Sequence, residues 1–263
     1  MKFSATNSTL FISHGAPDLM IRQTPAHDFL KNLANDFEKP KAIIVFSAHF
    51  ESEEIEITGN FRLQTIHDFS GFPPELHKMT YDAEGSPELA AEILQIFREM
   101  DFVAKINPKR GLDHGAWVPL KLIYPAADIP VIQISLQSSQ SPIYHYKIGR
   151  IIAQLKEKNI LIIGSGSITH NLAMAFQNKE KPTPAWVENF SEAIYQKLQN
   201  QDIAAIINWY DLESAQENHP SFEHFIPLLI AMGAAGGEFS AKRLHHSFDY
   251  SVLAMDCYVF TDV

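Results

Sequence analysis

The sequence predicts an α/β fold: a three-layer sandwich with a central, mostly parallel sheet and helices on both faces, in a single catalytic domain spanning 1–263. Three observations predict it. Apolar runs of strand length recur at STLFIS, AIIVFSA, DFVAKI, IPVIQIS and NILIIGSG, and they are apolar on both faces, as strands buried from two sides are. Amphipathic stretches of helix length alternate with several of them, at 25–38, 87–100, 142–158 and 184–199. Finally, 263 residues with 46% hydrophobic content suit one large core, and neither a linker nor an internal repeat divides the chain.

Taken in order, STLFIS opens the sheet and 25–38 returns the chain over one face. AIIVFSA follows as a second inner strand, and the strand beginning near Ile55 reads as an antiparallel addition. Residues 60–86, rich in Gly, Pro and aromatics but with little periodicity, read as a long ordered loop, a kind usually kept for function. The helix at 87–100, DFVAKI, a turn at GLDHG, a helix after it and IPVIQIS continue the alternation. The helix at 142–158, NILIIGSG and the helix at 184–199 follow. A helix opened by HPSFEHFIPLL and a second antiparallel addition at 251–260 complete the chain.

Composition narrows the function. Lys and Arg number 21 against 31 Asp and Glu, a net charge of −10. Such a surface repels a phosphate backbone, so no nucleic-acid partner is expected. The single cysteine, Cys257, allows no intrachain disulfide and reads as buried strand filler. KAIIVFSA and FIPLLIAMGAA fall short of the roughly 18 apolar residues of a membrane span. MKFSATNSTLFISHG lacks a signal peptide's apolar region. A cytoplasmic chain with no membrane partner is therefore expected; its oligomeric state is left open, a homo-oligomer included.

Histidine is the unusual count, at twelve. His14 follows STLFIS directly, His49 ends AIIVFSA, and His170 comes just after LIIGSGSIT. Ligands of open α/β sheets bind outside the carboxyl ends of the strands, so three strand-end histidines are expected to project into one region. His114, in a turn before a helix, and His224, opening another, join the set. Neutral imidazoles are inexpensive to bury when a metal ion takes their lone pairs, and a metal site built from this group is the reading that follows. His67 and His219 are candidate pocket residues; His27, His77, His145, His245 and His246 read as surface.

The ordered set LFISHGAPDLM, KAIIVFSAHFE, TIHDFSGFPPELHKMTYDAEGSPELA, GLDHGAWVPLKLIYPAADIPVIQIS, IIGSGSITHNL and PSFEHFIPLLIAMGAA resembles the extradiol ring-cleaving dioxygenases of the 4,5-DOPA dioxygenase type, in the class III, protocatechuate 4,5-dioxygenase B-subunit superfamily. It runs from residue 10 to about 235, nearly the whole chain. The resemblance implies that His14, His49 and His224 bind a metal, and that His170 faces it as a fourth ligand or as the acid/base. It also implies that His114 lies near the substrate. The implied substrates are a small aromatic diol, DOPA-like, and O₂. The implied cofactor is a divalent metal, Fe(II) for activity or Zn(II) as the bound ion. Many Fe(II) oxygenases use two histidines and a carboxylate; here the third ligand is read as His224, with its neighbour Glu223 as the alternative.

From the long loop, His67, Phe69, Phe72 and Tyr81 are the expected substrate-binding residues: Phe69, Phe72 and Tyr81 to cover the flat face of an aromatic ring and His67 to touch its polar substituent. Arg62, Arg110 and Arg243 are the cations that fall where a carboxylated substituent could be met. Two other functions fit a three-histidine site: a zinc-dependent hydrolase on the same fold, and a metal-retaining interaction protein without chemistry. His114 and His170 count against the second, because a binding module needs neither. GSGSITHN has a GxG after a strand, but Thr169 stands where GxGxxG needs its third glycine, and no nucleotide site is expected.

Overall fold

The computed structural model describes residues 2–177 and 181–262. Its strands are β1 (Ser8–Ser13), β2 (Ala42–Glu51), β3 (Ile55–Thr58), β4 (Ala104–Asn107), β5 (Val131–Leu136), β6 (Ile160–Gly166), β7 (Phe239–His245), β8 (Phe248–Asp249), β9 (Leu253–Ala254) and β10 (Cys257–Asp262). Eight of them form one sheet in the order β4-β3-β5-β2-β6-β1-β10-β7. The middle four, β5-β2-β6-β1, are mutually parallel. β3 meets β5 antiparallel, and β10 and β7 close the other edge antiparallel. The α/β class with helices on both faces is therefore the observed one.

The helices are α1 (Pro25–Leu33), α2 (Pro87–Glu99), α3 (His114–Ile123), α4 (Pro142–Ile152), α5 (Leu172–Gln177), α6 (Ala185–Gln199), α7 (Ile203–Ile207), α8 (Ala215–Asn218) and α9 (Ile226–Ala235). Thr24, Ser86 and Asp113 cap α1, α2 and α3, each accepting a hydrogen bond from a backbone N–H in the first turn. Proline stands at the start of α1, α2 and α4, where its missing N–H costs nothing. Strand alternation divides the core: Ile43 and Val45 pack with Leu30 and Trp117 on one face, Ile44 and Phe46 with Phe97 and Ile152 on the other. All ten residues of α9 are buried, so it is apolar all round, as an interior helix must be.

The differences from the expected elements have local causes. The helix at 25–38 stops at Leu33, and the one at 142–158 at Ile152; in each case the remainder tightens into a 3₁₀ turn. β4 starts only at Ala104, because Asp101 turns the chain in a left-handed conformation (φ 60°). β7 was not expected; it alternates buried Phe239 and Ala241 with exposed Ser240 and Lys242, as an edge strand with one wet face does. The antiparallel addition at 251–260 is β10, preceded by a tight turn at Tyr250 and Ser251 (φ 49° and 65°). Among the described residues, no helix is long and apolar enough to cross a membrane.

His145 is not at the surface. It lies on the inner face of α4 at 0% exposure, its Nδ1–H donating to Ser141 O at 3.2 Å and its Nε2 accepting from the Gln137 N–H at 3.4 Å. Burial pushes its pKa down from 6.5 to about 4. The unfolded chain therefore binds a proton that the folded chain refuses between these values. The stabilisation is fully present above pH 6.5 and is lost as pH falls through 4, an effect on the order of 3 kcal/mol. Urea melts at pH 7 and pH 4.5 should show His145→Gln losing less stability across that interval than the parent; equal losses would contradict this.

Candidate metal centre

β1, β6 and β2 are neighbours, so their carboxyl ends open at one place. His14 leaves the end of β1 with its N–H on Gly166 O (3.0 Å), and His49 sits near the end of β2. His224 arrives from the segment before α9, where its carbonyl accepts from the Ser167 N–H at 2.8 Å. The glycines of β6 make room for that segment and for the first turn of α9. A Cβ at Gly164 would stand 2.1 Å from Pro227 O, and one at Gly166 would stand 2.2 Å from His224 O. Close backbone approach, not phosphate binding, accounts for the GxG.

The three rings converge through Nε2. His14 and His49 Nε2 lie 3.1 Å apart, and His49 and His224 Nε2 3.3 Å. Their other nitrogens face oxygen. The Ser165 hydroxyl donates to Gly115 O, so its oxygen accepts from His14 Nδ1–H at 3.0 Å. Glu223 Oε1 accepts from His224 Nδ1–H at 2.9 Å, and Asp68 Oδ2 lies 3.7 Å from His49 Nδ1. Protons held at Nδ1 leave three lone pairs aimed at one point, an arrangement that repels itself unless a cation takes them. Nitrogens about 2.0–2.1 Å from a divalent ion stand roughly 2.9 Å apart at right angles and roughly 3.3 Å apart at tetrahedral angles, so the observed spacings fit one. Burial, reinforced by the neighbouring histidines, holds His14 and His224 well below 6.5, and burial and His114 hold His49 at about 4. All three are neutral at pH 7, the protonation a ligand needs.

His170 stacks on the His224 ring at 3.3 Å between centroids and 10° between planes. Its N–H on Asn218 O (2.8 Å) pins the loop after β6. Burial, then His219, keeps its pKa well below 6.5. His114, the first residue of α3, lies with its ring centroid 3.9 Å from that of His49. Its backbone N–H donates to Asp68 Oδ1 at 2.9 Å, and its Nδ1 stands 3.0 Å from the same oxygen, off the line of a hydrogen bond. Burial works to raise the Asp68 pKa, but hydrogen bonding and charge from His114, with His49, outweigh it and hold it at about 2.

A cavity of about 240 Å³ opens over His14, His49, His114 and His170, walled by Pro17, Phe69, Phe72, Leu172, Phe176 and Leu253. The 60–86 loop thus supplies Phe69 and Phe72. His67 and Tyr81 stand behind that wall rather than on it. His67 donates to Met79 O (2.9 Å) and packs on Phe69 and Trp117, while Tyr81 is 1% exposed with its hydroxyl on Tyr124 O. A long loop fills its interior with its own side chains, and these two serve that purpose. His219 is likewise core, donating to Ile168 O at 2.8 Å among Trp209 and Phe225. Neither Arg62, Arg110 nor Arg243 lines the cavity. Arg110 is bound to Asp113 Oδ2 (2.8 Å) and to His49 O (3.0 Å), and Asp113 also takes the Ser47 hydroxyl at 2.6 Å. That network ties the end of β2 to the start of α3. Asp113 is legible as an N-cap; Asp68 and Ser165 have no local signal, because their partners lie 46 and 151 residues away.

Comparison with known proteins gives the family and the fold. Residues 8–261 match the family model of the catalytic LigB subunit of aromatic ring-opening dioxygenase. A 4,5-DOPA dioxygenase extradiol of Beta vulgaris is 41% identical over 96% of both chains. Proteins with the same description from Mirabilis jalapa (33%, 96% of both) and Escherichia coli K12 (33%, 87% of this chain and 85% of that one) are also similar. A crystal structure of an uncharacterized Escherichia coli K12 protein superposes with a TM-score of 0.79 at 27% identity, covering 96% of this chain and 99% of that one. With a family match over nearly its whole length and a histidine centre that fits a divalent metal, the chain belongs to the LigB family of aromatic ring-opening dioxygenases and is an extradiol ring-cleaving dioxygenase.

Proposed function

We propose that this enzyme opens catecholic rings beside their two hydroxyls with O₂, taking DOPA, the substrate in its relatives' names, and simpler catechols, in one catalytic domain spanning the chain and in the cytoplasm. The observation that carries the reading is the convergence of the His14, His49 and His224 Nε2 atoms beneath a cavity the size of one substituted ring. These three residues would hold the metal, Fe(II) in the active enzyme, with Zn(II) as the competing ion because three neutral imidazoles discriminate little between the two. A divalent ion there supplies Lewis acidity toward the catechol hydroxyls and the redox partner for O₂. His170, neutral beside it, accepts a catechol proton at its ring nitrogen and later returns it, a part suited to imidazole. His114 hydrogen-bonds the substrate oxygens, and Phe69 and Phe72 cover the ring face and exclude water.

Loading the protein anaerobically with Fe(II) or Zn(II) and then supplying catechol, 4-methylcatechol, DOPA and a monophenol in air tests the reading. Oxygen uptake with a yellow ring-opened product is expected for the diols with Fe(II) only, and none for the monophenol, which cannot chelate. No uptake with any diol, together with ester or amide cleavage by the Zn(II) form, would replace the reading with a hydrolase.

A further inference from the structure

Asp68 is the one Asp, Glu, Lys or Arg side chain among the described residues that line the cavity. It comes from a loop almost without regular structure, yet it touches two histidines of the site at once. Its Oδ1 takes the His114 backbone N–H at 2.9 Å and lies 3.0 Å from His114 Nδ1, while Oδ2 lies 3.7 Å from His49 Nδ1. The His114 N–H is the first of α3, a donor that no carbonyl within the helix can satisfy. His14 has Ser165 behind its Nδ1 and His224 has Glu223; for His49 that place faces Asp68.

The loop itself is held independently of Asp68. Ile66 N–H donates to Leu112 O at 2.8 Å, Leu112 N–H to Gln64 O at 2.8 Å, and Trp117 Nε1–H to Ile66 O at 3.1 Å. Asp68 therefore extends from an anchored segment, and its carboxylate is free to serve the histidines rather than the loop. A negative charge 3.7 Å from His49 Nδ1 favours the proton on that nitrogen and so leaves Nε2 with its lone pair, which is the state His49 needs toward a metal.

We infer that Asp68 is a positioning residue of the dioxygenase site: its carboxylate sets the ring orientation and tautomer of His49 and His114, so that seating of the 60–86 loop completes the centre. This rests on the dioxygenase reading for its kinetic consequence, but not for its effect on the metal.

Asp68→Asn keeps an oxygen for the His114 N–H and removes the charge; Asp68→Ala removes both. In the full chain, Zn(II) affinity measured against a chromophoric chelator should fall about 10- to 100-fold in Asp68→Asn, the range for a lost outer partner of a ligand. The visible spectrum of the Co(II) form should shift, while the melting temperature stays near the parent value. With catechol and Fe(II), kcat should fall by a similar factor and KM little. Parent-like Zn(II) affinity and Co(II) spectrum in Asp68→Asn, with early melting only in Asp68→Ala, would overturn the inference and leave Asp68 a helix tie. Failure of the parent enzyme to consume O₂ with any catechol would count against the dioxygenase reading alone, since the Zn(II) and Co(II) measurements need no turnover.

Discussion

His170→Ala is expected to retain the metal and to lower catechol turnover by roughly 10²-fold or more. The reasoning is geometric. His170 lies flat against His224, 3.3 Å between centroids, and its ring borders the cavity that a catechol would enter. The Nε2 atoms spaced 3.1 and 3.3 Å apart belong to His14, His49 and His224. Removing His170 thus takes away the proposed proton acceptor while the converging set stays whole. Metal analysis after dialysis, alongside single-turnover oxygen uptake, separates the two roles: metal lost together with activity would make His170 a ligand, while metal kept with activity unchanged would exclude it from proton transfer.

His224→Ala is expected to abolish ring cleavage through the metal itself. Two neutral imidazoles would remain, and Glu223, whose Oε1 now accepts the His224 Nδ1–H at 2.9 Å, would lose that partner. Affinity for Fe(II) or Zn(II) should fall further than the roughly 10- to 100-fold that loss of an outer partner costs. Glu223→Gln supplies the comparison: it leaves all three nitrogens in place and should weaken binding only within that range. Equilibrium dialysis of the two variants decides the order. A larger loss in Glu223→Gln than in His224→Ala would make the carboxylate the ligand.

Much of this centre was legible without coordinates. Apolar runs marked β1, β2 and β6, and the rule that sheets bind ligands at strand carboxyl ends placed His14, His49 and His170 in one region. Their places at the openings of helices added His224 and His114. Less legible was everything that depends on which way a side chain turns. His145 sits in an amphipathic stretch, yet it takes the buried face of α4 with both ring nitrogens bonded, whereas His77 and His246 are exposed as expected. Phe69 and Phe72 reach the cavity while His67 and Tyr81 pack behind it, a division that the texture of 60–86 does not encode.

By itself the sequence determined the layered α/β architecture and the types of residue gathered at one end of the sheet, because periodicity and strand-end position are local properties of a chain. Tertiary structure alone decided the pairing behind each converging histidine: Ser165 with His14, Glu223 with His224, Asp68 facing His49, and Arg110 withdrawn to Asp113. It also decided why Gly164 and Gly166 are glycines, since the carbonyls they admit belong to Pro227 in the first turn of α9 and to His224 just before it. The physical reason is common to all of these. A hydrogen bond or a steric limit acts over about 3 Å of space, and the fold brings together groups as much as 151 residues apart in the chain, a distance over which no local pattern carries information.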